Sequence, residues 1–247
     1  MPNDFFQFQQ FRIEQAACAM KVSTDACVLG AALDLHGANR LLDIGTGTGL
    51  LALMAAQRHP TVEIEAVEID PAAAAQAAAN AAASPWAARV RVHPQSLAAY
   101  AATGPAPLAG AGLRFSHVVC NPPFFQQALR SPDAGRSTAR HTAPDTLTFA
   151  ELSRFAADFL TAQGRLTVLL PVPEMGRFVR EAAAVGLHPA TRLVLRHRPG
   201  SRALRQIVAF GRGPRSVAEQ ELTIRAAGDA DYSAAFRALL AGFYLAL

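Results

Sequence analysis

The chain has 247 residues, of which 51% are hydrophobic, enough apolar material for one large domain with a full core. No apolar run approaches the roughly 18 residues of a membrane-spanning helix, and the first residues lack the basic and apolar segments of a secretory signal. Three sparse cysteines without metal-ligand spacing argue against a disulfide framework or a structural zinc site. We therefore expect a reduced, cytoplasmic protein without a metal, and we assume a monomer because the sequence says nothing about oligomeric state.

The formal net charge is +4, and Lys21 is the only lysine among 23 basic residues. Between Glu181 and Glu219 the chain carries seven arginines and no acidic residue. A single-sign interval of this length is typical of a phosphate-binding surface. An ordinary solvated face on a basic protein explains the interval as well, and on charge alone it is the better explanation.

Strand and helix patterns alternate along the chain. Strands are predicted at 40–44, 63–69, 89–93, 116–120 and 164–171, and near 190–196 and 205–211. Helices are predicted at 50–58, 71–83, 149–160 and 174–185, with a last helix whose apolar side runs from Tyr232 to Leu247. Asp70 followed by Pro71, and the pair Thr148 and Glu151, are typical helix starts. The alternation predicts an α/β fold with a seven-stranded, mostly parallel sheet and helices on both faces.

In such sheets ligands bind beyond the carboxyl ends of the strands, which directs attention to the turns after residues 44, 69, 93 and 120. The first turn reads DIGTGTG over residues 43–49, with glycines that let the backbone turn tightly and approach a ligand. Its spacing is neither that of dinucleotide-binding proteins nor that of a P-loop. A glycine-rich turn alone is weak evidence for a cofactor site, so the interpretation depends on the residues that flank it.

Two carboxylates flank this turn. Asp43 comes directly before it and suits a positively charged ligand group, such as an ammonium or a sulfonium, better than a pyrophosphate. Glu68 ends the next strand, where its oxygens can accept hydrogen bonds from ribose hydroxyls, and Ile69 can pack on an adenine face. A ribose carboxylate without a phosphate cradle predicts S-adenosylmethionine rather than NAD.

The fourth turn has the sequence CNPPFF, which suggests catalysis at an amino nitrogen and not cofactor binding alone. An exocyclic amino nitrogen on a purine is a poor nucleophile, because its lone pair is delocalised into the ring. The Asn121 side chain and the Pro122 carbonyl can accept hydrogen bonds from its two N–H groups. The prolines stiffen the turn, and Phe124 can stack on the base. An ordinary turn with a buried aromatic explains each residue singly, but not their order opposite a cofactor turn.

At these residues the sequence resembles class I, Rossmann-like methyltransferases with an N-P-P-[FYW] motif, and within them the bacterial tRNA1(Val) adenine-37 N6-methyltransferase family. The segment 6–33 is similar to that family's K-V-x-T-D-x-x-L-L-G pattern, with Val28 in place of one leucine. "ARHT" (139–142) and "FYL" (243–245) are similar to its later segments. The resemblance implies a single methyltransferase domain over residues 1–247, in which segment 1–35 packs over the cofactor and active site and 36–247 form the core.

The resemblance also implies S-adenosylmethionine as cofactor, an RNA that is expected to be a tRNA as partner, and a set of site residues. The catalytic candidates are Asn121, Pro122, Pro123 and Phe124. The cofactor candidates are Lys21, Thr24, Asp43, Gly45, Thr46, Gly47, Gly49, Glu68, Ile69, Ser96, Leu97 and Asn121. The RNA candidates are Arg136, Arg140, His141, Arg196, Arg198, Arg202 and Arg205. One departure is that the family's acidic residue after the third strand is replaced by Gln95 and Ser96.

Other functions fit part of the pattern. A protein glutamine methyltransferase also acts on a planar nitrogen, but that family prefers tyrosine after the prolines and carries an N-terminal helical domain. Another nucleic-acid amino-methyltransferase would use the same turns. A catalytically dead RNA-binding module would be indicated by loss of the glycines or of Asn121, and neither is lost.

Overall fold

The structure, a computed structural model, describes residues 3–103, 114–122, 147–228 and 231–247. The strands are β1 (Phe5–Gln7), β2 (Arg12–Glu14), β3 (Arg40–Ile44), β4 (Glu63–Glu68), β5 (Val90–Pro94), β6 (Phe115–Cys120), β7 (Leu160–Pro171), β8 (Leu187–Arg196), β9 (Ala203–Arg212) and β10 (Ala218–Thr223). The helices are α1 (Thr24–Ala32), α2 (Leu50–Arg58), α3 (Pro71–Ala82), α4 (Leu97–Thr103), α5 (Phe149–Phe159), α6 (Val172–Ala184) and α7 (Ala234–Leu240). None of the described helices is long and apolar enough to cross a membrane.

Strands β3 to β10 form one sheet in the order β10-β8-β9-β7-β6-β3-β4-β5, and β1 pairs with β2 in a separate hairpin. Strand β9 runs antiparallel to β7 and β8, whereas the other neighbours are parallel. The predicted mostly parallel α/β sheet is confirmed. The predicted count of seven strands is wrong, because β10 adds an eighth along the edge of β8. Its sequence AEQELT is mostly polar and exposed, so it lacks the apolar signal of a strand.

The predicted helix starts at α3 and α5 are confirmed. Asp70 accepts hydrogen bonds from the Ala72 and Ala73 N–H groups, and Pro71 occupies the first helical position. At α5 both halves of the capping box between Thr148 and Glu151 are present. The last predicted helix is shorter than expected, because α7 ends at Leu240.

The core lies on both faces of the sheet. Because side chains alternate along a strand, Leu41 packs with α1, α2 and α7 on one face, and Leu42 packs with α4, α5 and α6 on the other. The first cluster also contains Phe8 and Ile13 of the N-terminal segment. Helices therefore cover both faces, as the sequence predicts.

The N-terminal hairpin is fastened to the C-terminal segment. Phe8 pairs with Tyr244 in an antiparallel bridge, and the Gln9 backbone N–H donates to the Phe243 carbonyl at 2.8 Å. The Gln9 side chain adds hydrogen bonds of 2.8 and 2.6 Å to the carbonyls of Ala241 and Tyr244. Two segments at opposite ends of the sequence thus share one small ladder.

A buried charge network crosses β3, β4 and β5. Glu65, with a side chain 4% exposed, lies 3.3 Å from the Arg40 guanidinium and accepts a hydrogen bond from His93. Burial alone would raise the pKa of Glu65, but the bond and charge of His93 and the charge of Arg40 hold it below its usual value. The Arg40 side chain is itself only 9% exposed, so Glu65 is its compensating charge.

Replacing Glu65 by Ala should lower the free energy of unfolding by about 3–5 kcal/mol, because it leaves Arg40 buried without its carboxylate. Glu63→Ala is the matched control, since Glu63 lies on the same strand and pairs with the exposed Arg91. Its expected loss is about 1 kcal/mol or less. Urea denaturation of the two variants measures both values, and equal losses would contradict the buried role of Glu65.

Candidate active site

The glycine turn joins β3 to α2 at the carboxyl edge of the sheet. Gly45, Gly47 and Gly49 have φ angles of 68°, 57° and 83°, in the left-handed region that favours glycine. A Cβ on Gly45 or Gly47 would meet no atom within 4 Å, whereas one on Gly49 would contact Ala77 of α3 at 3.5 Å. The turn therefore presents bare backbone to open space on one side and packs on a helix on the other.

The end of β4 holds the turn in place. The N–H groups of Gly45 and Thr46 donate to the Val67 carbonyl at 2.8 and 3.1 Å. The Gly47 N–H donates to Glu68 Oε2 at 2.8 Å, and the Asp70 N–H donates to Glu68 Oε1 at 3.0 Å. Each oxygen of a carboxylate accepts about two hydrogen bonds, so each Glu68 oxygen keeps capacity for a ligand hydroxyl. The Val67 carbonyl leaves no side-chain signal, and sequence reasoning missed it.

Asp43 is fully buried at the start of the turn. Its Oδ2 accepts a hydrogen bond from the Thr46 hydroxyl at 2.6 Å, and its Oδ1 has no partner among the residues described. Burial, together with the smaller effect of the Glu68 charge, raises the pKa of Asp43 to about 7 against the opposing hydrogen bonds of Thr46 and Ala52. A buried carboxylate oxygen without a partner fits a cationic ligand group.

Asn121 follows β6, the strand beside β3 in the sheet. Cys120 pairs with Ile44, so Asn121 comes directly after the strand position level with the start of the glycine turn. Its Oδ1 is buried and accepts no hydrogen bond within the described part of the chain. Burial and then the charges of Asp43 and Glu68 raise the pKa of the Cys120 thiol, which places the end of β6 close to both carboxylates. Pro122 is buried, while Pro123 and Phe124 lie outside the described residues.

The turns after β4 and β5 carry the residues expected near an adenine. Ile69 is 41% exposed at the end of β4. Ser96 lies at the start of α4, where its hydroxyl oxygen accepts a hydrogen bond from the Ala99 N–H at 3.1 Å, and Leu97 is half-buried beside it. Part of the acceptor capacity of Ser96 is therefore used within the protein.

The two N-terminal cofactor candidates, Lys21 and Thr24, form hydrogen bonds to other residues of the protein. The Lys21 ammonium donates to the Gln15 carbonyl, and the Thr24 side chain is hydrogen-bonded to the Tyr244 hydroxyl. Cys18 lies in the same loop as Lys21, and its thiol pKa is raised by burial and then by the charge of Glu68. The Cys18 thiol is therefore within electrostatic reach of the carboxylate that ends β4.

The arginine interval is not the single-sign surface that the sequence suggests. Arg196 pairs with Glu221 at 2.7 Å and Arg192 with Glu219 at 2.9 Å, because β10 lies parallel to β8. Arg205 lies 3.5 Å from Asp25.

Two arginines of the interval are exposed at the active-site edge. Arg198 and Arg202 lie in the turn between β8 and β9. Strands β8 and β7 both run antiparallel to β9, so this turn shares the sheet edge with the glycine turn. Arg136, Arg140 and His141 lie outside the described residues.

Comparison with known proteins agrees with this geometry. A family model for the methyltransferase small domain matches residues 17–170. A solved structure of a predicted O-methyltransferase from Agrobacterium tumefaciens superposes with a TM-score of 0.59 at 22% identity, over 88% of this chain and 96% of that one. The fold and the glycine turn are those of a class I methyltransferase, whose methyl donor is S-adenosylmethionine.

Curated relatives show which family of class I methyltransferases the chain belongs to. A tRNA1(Val) (adenine(37)-N6)-methyltransferase of Bacteroides thetaiotaomicron is 39% identical over 100% of both chains. One from Edwardsiella ictaluri is 39% identical over 99% of this chain and 95% of its own. The chain therefore belongs to the tRNA1(Val) (adenine(37)-N6)-methyltransferase family.

The buried Asp43 predicts a pH-dependent stability. Between its ordinary pKa of 3.8 and its folded pKa of about 7, the folded state keeps a proton that the unfolded state has lost. Raising the pH through this window therefore favours unfolding, by up to about 1.4 kcal/mol per pH unit. Asp43→Asn should remove this slope.

Urea denaturation of the wild type and of Asp43→Asn from pH 4 to 8 measures the difference. The wild type should lose stability relative to the variant as the pH rises, with no further change above about pH 7. Asp158→Asn, at an exposed position, is the control. Parallel curves for the wild type and Asp43→Asn would contradict a raised Asp43 pKa.

Proposed function

We propose that this protein transfers a methyl group from S-adenosylmethionine to N6 of adenine 37 in tRNA1(Val), next to the anticodon. The observation that carries the proposal is the buried oxygen of Asn121, which has no hydrogen-bond partner among the described residues and lies at the strand end beside the cofactor turn. The full-length identity to relatives named for this reaction supports the choice of RNA. A tRNA substrate would place the enzyme in the cytoplasm.

The strand-end residues would hold the cofactor. Glu68 would accept hydrogen bonds from the ribose hydroxyls with its remaining capacity, since two backbone N–H groups already orient it. Asp43 Oδ1 would pair with a cationic group, and the exposed Ile69 would pack on the adenine with Ser96 and Leu97 nearby. The glycine turn lets the ligand approach the backbone without a Cβ in between. When bound, S-adenosylmethionine supplies an electrophilic methyl group on a sulfonium.

Asn121 and Pro122 would prepare the nucleophile. The Asn121 Oδ1 and the Pro122 carbonyl would accept hydrogen bonds from the two N–H groups of the adenine amino group. These bonds would favour the pyramidal, reactive geometry of the nitrogen. We assign Pro123 to stiffening the turn and Phe124 to stacking on the flipped-out base. No side chain has to act as a strong base, because the amino nitrogen is cationic and acidic once it carries the methyl group.

The direct test is methyl transfer to defined RNA. Unmodified tRNA1(Val) transcript and a transcript with guanine at position 37 are incubated with labelled S-adenosylmethionine, and the nucleosides are analysed. We expect N6-methyladenosine from the first transcript and none from the second. Label on protein glutamine instead of RNA would support the glutamine methyltransferase alternative, and binding of RNA without transfer would support a dead module.

Asn121→Ala tests the catalytic turn. The variant should bind S-adenosylmethionine with nearly unchanged affinity but transfer the methyl group about 10²–10³ times more slowly, because a preorganised acceptor is lost. Single-turnover kinetics at saturating RNA measure the step. Asn39→Ala, at an exposed position before β3, is the control. A near wild-type rate for Asn121→Ala would reduce Asn-Pro-Pro-Phe to an ordinary turn.

The turn between β8 and β9 is the second place to test. If Arg198 and Arg202 contact phosphates, changing both to Gln should flatten the slope of log affinity against log salt by about 1 to 2 units. The same exchange at Arg154 and Arg180, exposed on α5 and α6, is the control. Equal slopes for the two double variants would assign Arg198 and Arg202 to an ordinary solvated surface.

A further inference from the structure

A buried asparagine in α3 links two segments that are remote in sequence. Asn80 is 3% exposed. Its Nδ2 donates to the Glu14 carbonyl at 2.8 Å and to the Thr48 carbonyl at 2.9 Å, and its Oδ1 accepts from the Glu14 N–H at 3.0 Å. Glu14 ends the N-terminal hairpin, and Thr48 belongs to the glycine turn. One carboxamide therefore binds both the hairpin and the cofactor turn.

The helix itself gives no reason for an asparagine at this position. Apart from Pro71, Gln76 and Asn80, α3 consists of alanine, the strongest helix former, and asparagine is a weaker one. A buried amide is unfavourable unless its polar atoms are hydrogen-bonded. Here its contacts satisfy three backbone groups outside α3, so the residue serves the link and not the helix.

The hairpin continues directly into the loop that carries Cys18 and Lys21. Gln15, the next residue after Glu14, closes this loop, because its Oε1 accepts from the Val22 N–H at 2.8 Å and its carbonyl accepts from the Cys18 N–H at 3.2 Å. The charges of Glu68 and Asp70 act on the Cys18 thiol in the same loop. Asn80 thus anchors the glycine turn directly and, through Glu14, the base of the loop that carries Cys18.

We infer that Asn80 is a positioning residue that couples the docking of the N-terminal hairpin to the cofactor turn. Since one buried carboxamide bonds both segments, ordering one favours the order of the other. Linkage then requires that cofactor binding stabilise the hairpin as much as hairpin docking strengthens cofactor binding. The inference rests on the cofactor role proposed for the glycine turn, and it is independent of which RNA is methylated.

The variant test compares Asn80→Ala with Ser84→Ala. Ser84 is buried just after the same helix, where its hydroxyl donates to the Ala81 carbonyl and accepts from the Trp86 N–H, two groups that lie outside the glycine turn. Asn80→Ala should weaken S-adenosylmethionine binding about tenfold or more by calorimetry. The rate at saturating cofactor should stay within about threefold of wild type, and Ser84→Ala should bind normally. An Asn80→Ala protein that is less stable but binds the cofactor normally would overturn the inference.

Hydrogen exchange on the wild-type protein needs no variant to fold. Adding S-adenosylhomocysteine should slow the exchange of amides at Arg12–Glu14 together with those of the glycine turn. Protection confined to the turn would overturn the coupling. Failure to methylate the tRNA with this joint protection intact would count against the proposed function alone.

Discussion

The Val67 carbonyl is the contact on which the rest of the site depends. It accepts hydrogen bonds from the N–H groups of Gly45 and Thr46, and so holds the glycine turn after β3 against the end of β4. Gly45, the first of the two donors, has a φ angle of 68° in the left-handed region, which accounts for glycine at this position. The Gly47 N–H then donates to Glu68, so the glycine turn and the carboxylate at the end of β4 hold each other in place.

Two buried carboxylates in this sheet have opposite pKa shifts because their neighbouring groups differ. Glu65 is surrounded by Arg40 and His93, its pKa is held low, and its charge is balanced within the fold. Among the described residues, the Thr46 hydroxyl and the Ala52 backbone N–H are the groups that oppose the burial of Asp43, and its pKa rises to about 7. The charge of Glu65 is therefore balanced within the fold, whereas we propose that the charge of Asp43 is balanced by a cationic group of S-adenosylmethionine.

Local signals made much of the fold predictable. Asp70 with Pro71, and Thr148 with Glu151, begin helices through contacts within four residues, so their patterns are visible in sequence. The glycine turn and Glu68 were predictable for the same reason, since each ends a clear apolar strand. Their roles in binding follow from the chemistry of those residues and stay proposals.

Features that depend on pairing across the sheet were not predictable. Strand β10 is polar and is a strand only because β8 offers it an edge. For the same reason the sequence could not show that Glu221 neutralises Arg196 from the adjacent strand. Asn80 was overlooked among alanines because its partners lie 66 and 32 residues away.

The ladder between the hairpin and the C-terminal segment has a consequence for biosynthesis. Gln9 is separated from its partners Ala241 and Tyr244 by 232 and 235 residues. Contacts of such separation close late, because the whole intervening chain must first be made and ordered. During translation the hairpin has no C-terminal partner until residues 241–244 have left the ribosome. A nascent chain therefore gains this ladder only near the end of synthesis, and a chain interrupted before residue 241 would lack the C-terminal fastening of its hairpin.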